Sequence, residues 1–334
     1  MKFNKLYSSI DTHTAGEPLR IITSGIPIII GSSMLEKRQY FTGHFDYIRK
    51  TLMFEPRGHE GMYGCIVTEP TSLDADFGVL FMHNEGLSTM CGHGIIAVVT
   101  ALIETGVLSQ EVVNRPIKID SPAGRILAFA DCQDVQVKAV SFLNVPSFVY
   151  KDDITVNVLD KEIKVDIAFG GAFYVIVKAS EIGTTVDINQ LSFLKKIATT
   201  LKNQIEKEYN VQHPLEKDLK GIYGVIFSDE ATKNDSHLRN VTVFADEQID
   251  RSPCGTGTAA RLASLFHHGE MQMNETFVHE SIIGSQFQAE IIETTMVDNY
   301  KAVVPKITGS SYLTGIHQFV VDPTDPLNQG FLLK

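Results

Sequence analysis

"VLFMHNEGLSTMCGHGIIAVVTALIETG" (79–106) and "TVFADEQIDRSPCGTGTAARLASLFHHG" (242–269) are two copies of one pattern in a single chain. They align without a gap at a constant offset of 163 residues. Phe81 falls on Phe244, Cys91 on Cys254, Gly92 and Gly94 on Gly255 and Gly257, and Gly106 on Gly269. Self-similarity at an offset of about half the chain predicts two domains related by a pseudo-two-fold axis. Equivalent sites would then meet across a cleft.

Within each copy the order of elements is the same. "FGVLFM" (77–82) and "NVTVFA" (240–245) carry the β-branched and aromatic residues of buried strands. "IIAVVTALIETG" (95–106) and "TAARLASLFHHG" (258–269) have helical length and stop at glycine. The first of these helices is apolar on nearly every face, as a helix buried all round must be. Further strands are expected at 115–120, 125–130, 134–140, 164–169 and 173–179, with an amphipathic helix at 188–210. The expected class is α+β, each half a curled, mostly antiparallel sheet around a buried helix. The expected halves are 1–155 and 156–309, and residues 310–334 return to the first half as an extra strand.

The totals exclude several classes. The 334 residues hold 29 Lys and Arg against 40 Asp and Glu, a net charge of −11. Such a surface repels nucleic-acid phosphates and anionic lipid. No apolar run approaches the length of a membrane span, and the start has no apolar signal core. The four cysteines, Cys65, Cys91, Cys132 and Cys254, are too sparse for a disulfide framework. A cytoplasmic protein is expected. Taken singly, each cysteine reads as a small buried apolar side chain.

The glycine pattern invites other readings that fail on detail. Gly255-x-Gly257-x-x-Ala260 fits a dinucleotide turn, but Asp250-Arg251-Ser252-Pro253 separates it from the strand. A phosphate loop lacks its Lys-Ser/Thr, and a zinc deaminase lacks its second cysteine after Pro253-Cys254. Cys91 and His93 alone are too few ligands for zinc. No cofactor and no metal are expected.

What remains is thiol chemistry. Ser252 reads as an N-cap and Pro253 as the first helical residue, which puts Cys254 in the first turn; Thr89 and Cys91 follow by the repeat. Free N–H groups at a helix start lower a thiol pKa and bind a carboxylate. Two such helix starts facing one cleft suit deprotonation beside a carboxylate. One thiolate takes the α-proton, the opposite thiol returns one to the other face, and the N–H groups hold the developing charge.

Seven stretches carry a resemblance: "DTHTAGEP" (11–18), "EPRGHEGMYG" (55–64), "MCGHG" (90–94), "DSPAG" (120–124), "NVPSF" (144–148), "DIAFGGAFY" (166–174) and "DRSPCGTGT" (250–258). In this order, across nearly the whole chain, they resemble the proline racemase family. That family contains proline racemases, hydroxyproline 2-epimerases and trans-3-hydroxy-L-proline dehydratases. The resemblance implies a fold similar to diaminopimelate epimerase, with the active site between two pseudo-symmetric halves. It implies Cys91 and Cys254 as the acid/base pair and His93 and Asp250 as partners of the substrate ring nitrogen. The N–H groups of Gly92, His93, Gly255 and Thr256 would cradle the carboxylate. A homodimer is the common assembly.

Substrate choice is divided. Dehydratases of the family typically carry threonine at the second cysteine, so Cys254 favours racemase or epimerase chemistry. Phe244 resembles the pocket aromatic of proline racemases, and a ring there suits an unsubstituted pyrrolidine. Tyr63 stands where those enzymes often have phenylalanine, and its hydroxyl would accept a hydroxylated ring. "LFMHNEGLSTMCGH" resembles the dehydratase branch, and Tyr223 is a candidate third pocket wall. Phe244 and Tyr63 also read as plain core aromatics. The reading is a cofactor-independent racemase or epimerase of proline or hydroxyproline, with a dehydratase as the alternative and a non-catalytic amino-acid-binding protein as the least favoured reading.

Overall fold

The computed structural model describes residues 3–134 and 136–333, so Val135, inside the expected strand at 134–140, lies outside the described residues. The chain divides into two compact units, Met1–Phe142 with Ser310–Lys334, and Leu143–Gly309.

The first unit runs β1 (Lys5–Thr14), β2 (Glu17–Ser24), α1 (Met34–Met53), β3 (Tyr63–Thr68), β4 (Phe77–His83), β5 (Leu87–Ser88), α2 (Gly92–Glu104), β6 (Ile117–Ser121), β7 (Gly124–Gln133) and β8 (Gln136–Leu143). Strands β1–β2, β3–β4, β4–β5 and β6–β7 pair antiparallel, whereas β2–β3 and β4–β6 are parallel. The parallel pairs need crossovers, and these are the two helices. Every residue of α2 from Gly92 to Ile103 is buried.

The second unit repeats this order: β9 (Ser147–Val158), β10 (Lys161–Phe169), β11 (Phe173–Lys178), α3 (Leu191–Glu208), β12 (Ile222–Glu230), β13 (Leu238–Phe244), β14 (Gln248–Asp250), α4 (Gly255–His267), β15 (Phe277–Ser281), β16 (Gln286–Val297) and β17 (Tyr300–Gly309). Its parallel pairs, β11–β12 and β13–β15, are the counterparts of those in the first unit. The sheet meets itself where β17 pairs with β9, Ala302 opposite Phe148. Helix α4 packs against β9, β10, β11, β16 and β17, which lie toward both ends of that strand order, so the sheet curls around it.

After the second unit the chain returns as β18 (Ser311–Val321), antiparallel to β1 from Lys5↔Val321 to Thr14↔Ser311. Helix α2 packs against β1, β2, β7 and β18, so the first sheet also curls around its helix. Strand β18 stands to β1 as β9 stands to β10. This places the division of the chain after Phe142 rather than near residue 155. Residues 147–158 bond to β10 and β17, and that pairing binds them to the second unit.

Helix α1 lies in a stretch that the sequence pattern leaves unassigned. Ser33 caps it, its hydroxyl accepting the Glu36 N–H at 3.2 Å, while the Glu36 carboxylate accepts from the Ser32 N–H and hydroxyl. Phe41, Ile48 and Leu52 form its buried stripe. Helix α3 buries Leu194, Ile197, Ala198, Leu201 and Ile205, the i, i+3, i+4, i+7, i+11 series of an amphipathic helix. Its lysines lie on the other face.

Candidate active site

In the second unit Cys254 is the residue on which helix α4 begins. It is the N-cap, with φ 66° and ψ 111°. The expected cap, Ser252, and the expected first helical residue, Pro253, lie outside the helix. A non-glycine residue at such a φ costs roughly 1–3 kcal/mol unless its surroundings hold it. Here they do. The Ser252 hydroxyl donates to Asp250 Oδ1 at 2.7 Å and accepts the Cys254 N–H at 3.1 Å. The Ser252 N–H donates to the same carboxylate oxygen at 2.8 Å. The Pro253 carbonyl accepts from Asn240 Nδ2 at 3.2 Å and from Thr258 Oγ1 at 3.1 Å. The turn is thus pinned on both sides, and the first helical bond, Thr258 N–H to the Cys254 carbonyl, closes at 2.7 Å.

The electrostatics reverse one expectation. Helix-start N–H groups should lower the Cys254 thiol, and the Gly257 N–H does pull that way. Burial pushes the thiol up much further, and the neighbouring Asp250 carboxylate adds to the rise. Asp250 is itself raised, because burial outweighs its bonds from Ser252 and Cys254. Burial and the Asp250 carboxylate both favour the protonated thiol at Cys254. A cation placed against Asp250 would cancel the charge that opposes its ionisation.

Around this sulfur stand the other second-unit candidates. Gly255 and Thr256 open α4, and their N–H groups are among those a helix start leaves free for a ligand. The Tyr223 and Phe244 rings stack with centroids 5.5 Å apart, and Tyr223 meets the fully buried Tyr174 edge-on at 5.9 Å. Gly170 lets the strand end touch the helix, since a Cβ there would lie 2.2 Å from the Thr256 carbonyl oxygen.

The first unit builds the matching corner with different side chains. Cys91 is the N-cap of α2 in ordinary extended backbone, φ −149°, so Thr89 is not the cap either. Gly92 and His93 open the helix. The His93 ring places Nδ1 3.3 Å from the Cys91 sulfur. Its carbonyl accepts the Thr14 hydroxyl at 3.0 Å, which ties the helix start to the end of β1. The Tyr63 ring lies edge-on to His93 at 5.0 Å, and its hydroxyl is 2.6 Å from Ser88 Oγ.

The ten candidate residues therefore gather at two helix starts, Tyr63 and Cys91–His93 at one, and Tyr223, Phe244, Asp250 and Cys254–Thr256 at the other. Cys65 is fully buried and its thiol is pushed up by burial, while Cys132 is half-buried on β7. Among the described residues no cluster of three or more His, Cys, Asp or Glu is spaced to hold a metal, and no helix is long and apolar enough to cross a membrane. Sequence reasoning did not single out Tyr174, Ser252 as a link between Asp250 and Cys254, or Ser88. Tyr174 closes the stretch "DIAFGGAFY", so its position was marked although its role was not.

Comparison with known proteins fits this arrangement. Residues 9–332 match the proline racemase family. The chain is 57% identical over 333 residues to a trans-3-hydroxy-L-proline dehydratase of Bacillus cereus, covering all of both chains. It is 45% identical over 335 residues to a proline racemase of Clostridioides difficile, again covering all of both. Among solved structures it superposes on a hydroxyproline epimerase from Agrobacterium vitis with bound trans-4-hydroxy-L-proline, at a TM-score of 0.91 and 31% identity. That match covers all of this chain and 97% of the other. With its repeated cysteine-headed helices and a family match that runs almost from end to end, the chain belongs to the proline racemase family.

Proposed function

We propose that this protein inverts the α-carbon of proline or a hydroxyproline, with Cys91 and Cys254 as paired acid/base groups and without a cofactor. One observation carries the reading: in each unit a cysteine heads a buried helix, at equivalent places in the repeat. Inversion needs one proton donor or acceptor on each face of the α-carbon, and a duplicated thiol supplies both. The N–H groups of Gly92, His93, Gly255 and Thr256 take the carboxylate and stabilise the charge that moves onto it. Asp250 and His93 take the ring nitrogen. Pairing of the ring ammonium with Asp250 offsets the carboxylate charge that adds to burial in holding Cys254 protonated, so binding favours activation. The reading places the enzyme in the cytoplasm, where free thiols persist, and takes a homodimer as its assembly.

A second reading is favoured by the similarity to the Bacillus cereus dehydratase and by the polar Tyr63–Ser88 pair beside His93. In trans-3-hydroxy-L-proline the hydroxyl and the α-proton lie on one ring face. A single thiol, Cys91, can take the proton and return it to the departing hydroxyl as water, and Cys254 is then not required. Both readings begin with the same proton abstraction.

The deciding experiment is proton NMR in deuterated water with L-proline, trans-4-hydroxy-L-proline and trans-3-hydroxy-L-proline in parallel. Inversion with α-deuterium incorporation in either of the first two supports the first reading. Loss of water from the third to a cyclic imine supports the second. The absence of both α-exchange and loss of water with all three removes both readings and leaves a binding protein.

A further inference from the structure

The two cysteines are not equipped alike. Beside Cys91 stands an imidazole, His93 Nδ1, at 3.3 Å from the sulfur. The repeat puts Thr256 at the His93 position of the second unit. A threonine has neither the reach nor the ring nitrogens of an imidazole. Its hydroxyl instead lies 2.6 Å from Tyr174 Oη, and that oxygen lies 3.8 Å from Cys254 Sγ. Tyr174 comes from β11, is fully buried, and packs with Ala168, Ile176 and Ile226 in the apolar cluster that also holds Cys254. A phenol in such a place must find a partner for its hydroxyl. Among the described residues, Thr256 and the sulfur are within its reach.

Building on the thiol chemistry proposed above, we propose that Tyr174 is a positioning residue for Cys254: its hydroxyl, held by Thr256, donates a hydrogen bond to the sulfur when Cys254 is a thiolate. The proton leaves sulfur for the substrate carbon or for solvent. Tyr174 keeps its own proton and turns it toward the sulfur. Burial keeps the phenol protonated, and the nearby thiolate raises it further, so it serves as donor and not as acid. The side chains that bear on Cys254 among the described residues are Asp250 on β14, which opposes ionisation, and Tyr174, which favours it beside the Gly257 N–H. Tyr223 on β12 stands behind Tyr174, and Arg251 lies beside Asp250. Tyr174 is thus the side-chain counterweight to Asp250, and it fills in the second unit the place that His93 fills in the first.

The test needs no turnover. Native protein and Tyr174→Phe are alkylated with iodoacetamide from pH 7 to 10, and the rate at each cysteine is read by peptide mass spectrometry. Removing the phenol oxygen should slow Cys254 by about tenfold at a given pH, as loss of one bond to a charged group implies. The Cys91 rate should not change. An unchanged Cys254 profile in a variant with native melting temperature overturns the proposal. Should Tyr174→Phe not fold, native chain grown with 3-fluorotyrosine decides: its more acidic phenol is the stronger donor, and Cys254 should react faster. No acceleration there overturns the proposal as well. The function reading fails separately, if Cys254→Ala keeps full racemisation; the effect of Tyr174 on the thiol would still stand.

Discussion

A Cβ built on Gly257 would lie 2.9 Å from the Cys254 sulfur, closer than real side-chain contacts allow. The helix residue three places on is glycine because the thiol occupies the space of its side chain. Gly94 and Cys91 repeat the relationship at 3.0 Å. Gly257→Ala should therefore leave α4 in place, since alanine favours a helix, and push the thiol aside. A displacement near 1 Å at a reacting group costs about 100-fold in rate. The expected result is a fall in kcat of that order with a nearly native melting temperature, read by polarimetry and circular dichroism. Gly94→Ala should be harsher on stability, because its Cβ would also meet the Phe81 ring at 2.5 Å.

Thiol labelling should distinguish the four cysteines. Cys65 is fully buried with its thiol raised by burial, and Cys132 is raised by burial, Asp131 and Glu104. Neither should be modified in step with loss of activity. Inactivation by iodoacetamide should track Cys91 or Cys254, and the planar pyrrole-2-carboxylate should protect both, because it resembles the flattened transition state. Labelling of Cys91 and Cys254 that ignores the analogue would sink the assignment of the site.

The repeat made most of the fold legible. Alternating apolar strands and an all-buried helix are written in residue type, and the offset of 163 doubled the weight of each. Helix α1 was missed because its buried stripe, Phe41, Ile48 and Leu52, is diluted by lysines and histidine, although Ser33-x-x-Glu36 was a readable start signal. The true cap is not legible in residue type. Ser252-Pro253 has ideal helix-start chemistry, yet Ser252 is engaged by Asp250, and the helix waits for Cys254. The raised thiol could not be read from sequence either, since burial and a through-space carboxylate decide it.

In the proposed reading, the second-unit aromatic pair sets substrate preference. Phe244 stacks on Tyr223 at 5.5 Å and offers nothing to a ring hydroxyl. Phe244→Ser should open room and supply a hydroxyl partner. The ratio of kcat/KM for trans-4-hydroxy-L-proline over L-proline should rise about tenfold, the value of one neutral hydrogen bond. A ratio that stays fixed would place Phe244 in the core and outside the pocket.

Acid should destabilise the protein through a histidine behind the active turn. His279 is fully buried, and its Nδ1 is 2.9 Å from Thr258 Oγ1. Thr258 donates its single hydroxyl proton to the Pro253 carbonyl, so Nδ1 must donate to Thr258, and Nε2 carries a lone pair. Among the described residues Nε2 has no hydrogen-bond partner. A second proton would sit there unpaired, near Arg261; burial first and that charge second push the pKa down to about 3. The unfolded chain takes up this proton near 6.5, the folded one only near 3. Stability from this group is complete above pH 6.5 and falls as pH drops toward 3. His83, pushed down to about 4 by burial, acts with the same sign, and the raised Asp250 acts against them. A comparison at one position removes these shared contributions. Between pH 7.5 and 4.5 the melting temperature of the native chain should fall more steeply than that of His279→Gln, which cannot titrate. Equal slopes would mean that His279 gains a partner for Nε2 in solution, and that the Pro253–Thr258 turn holding Cys254 does not depend on its neutral form.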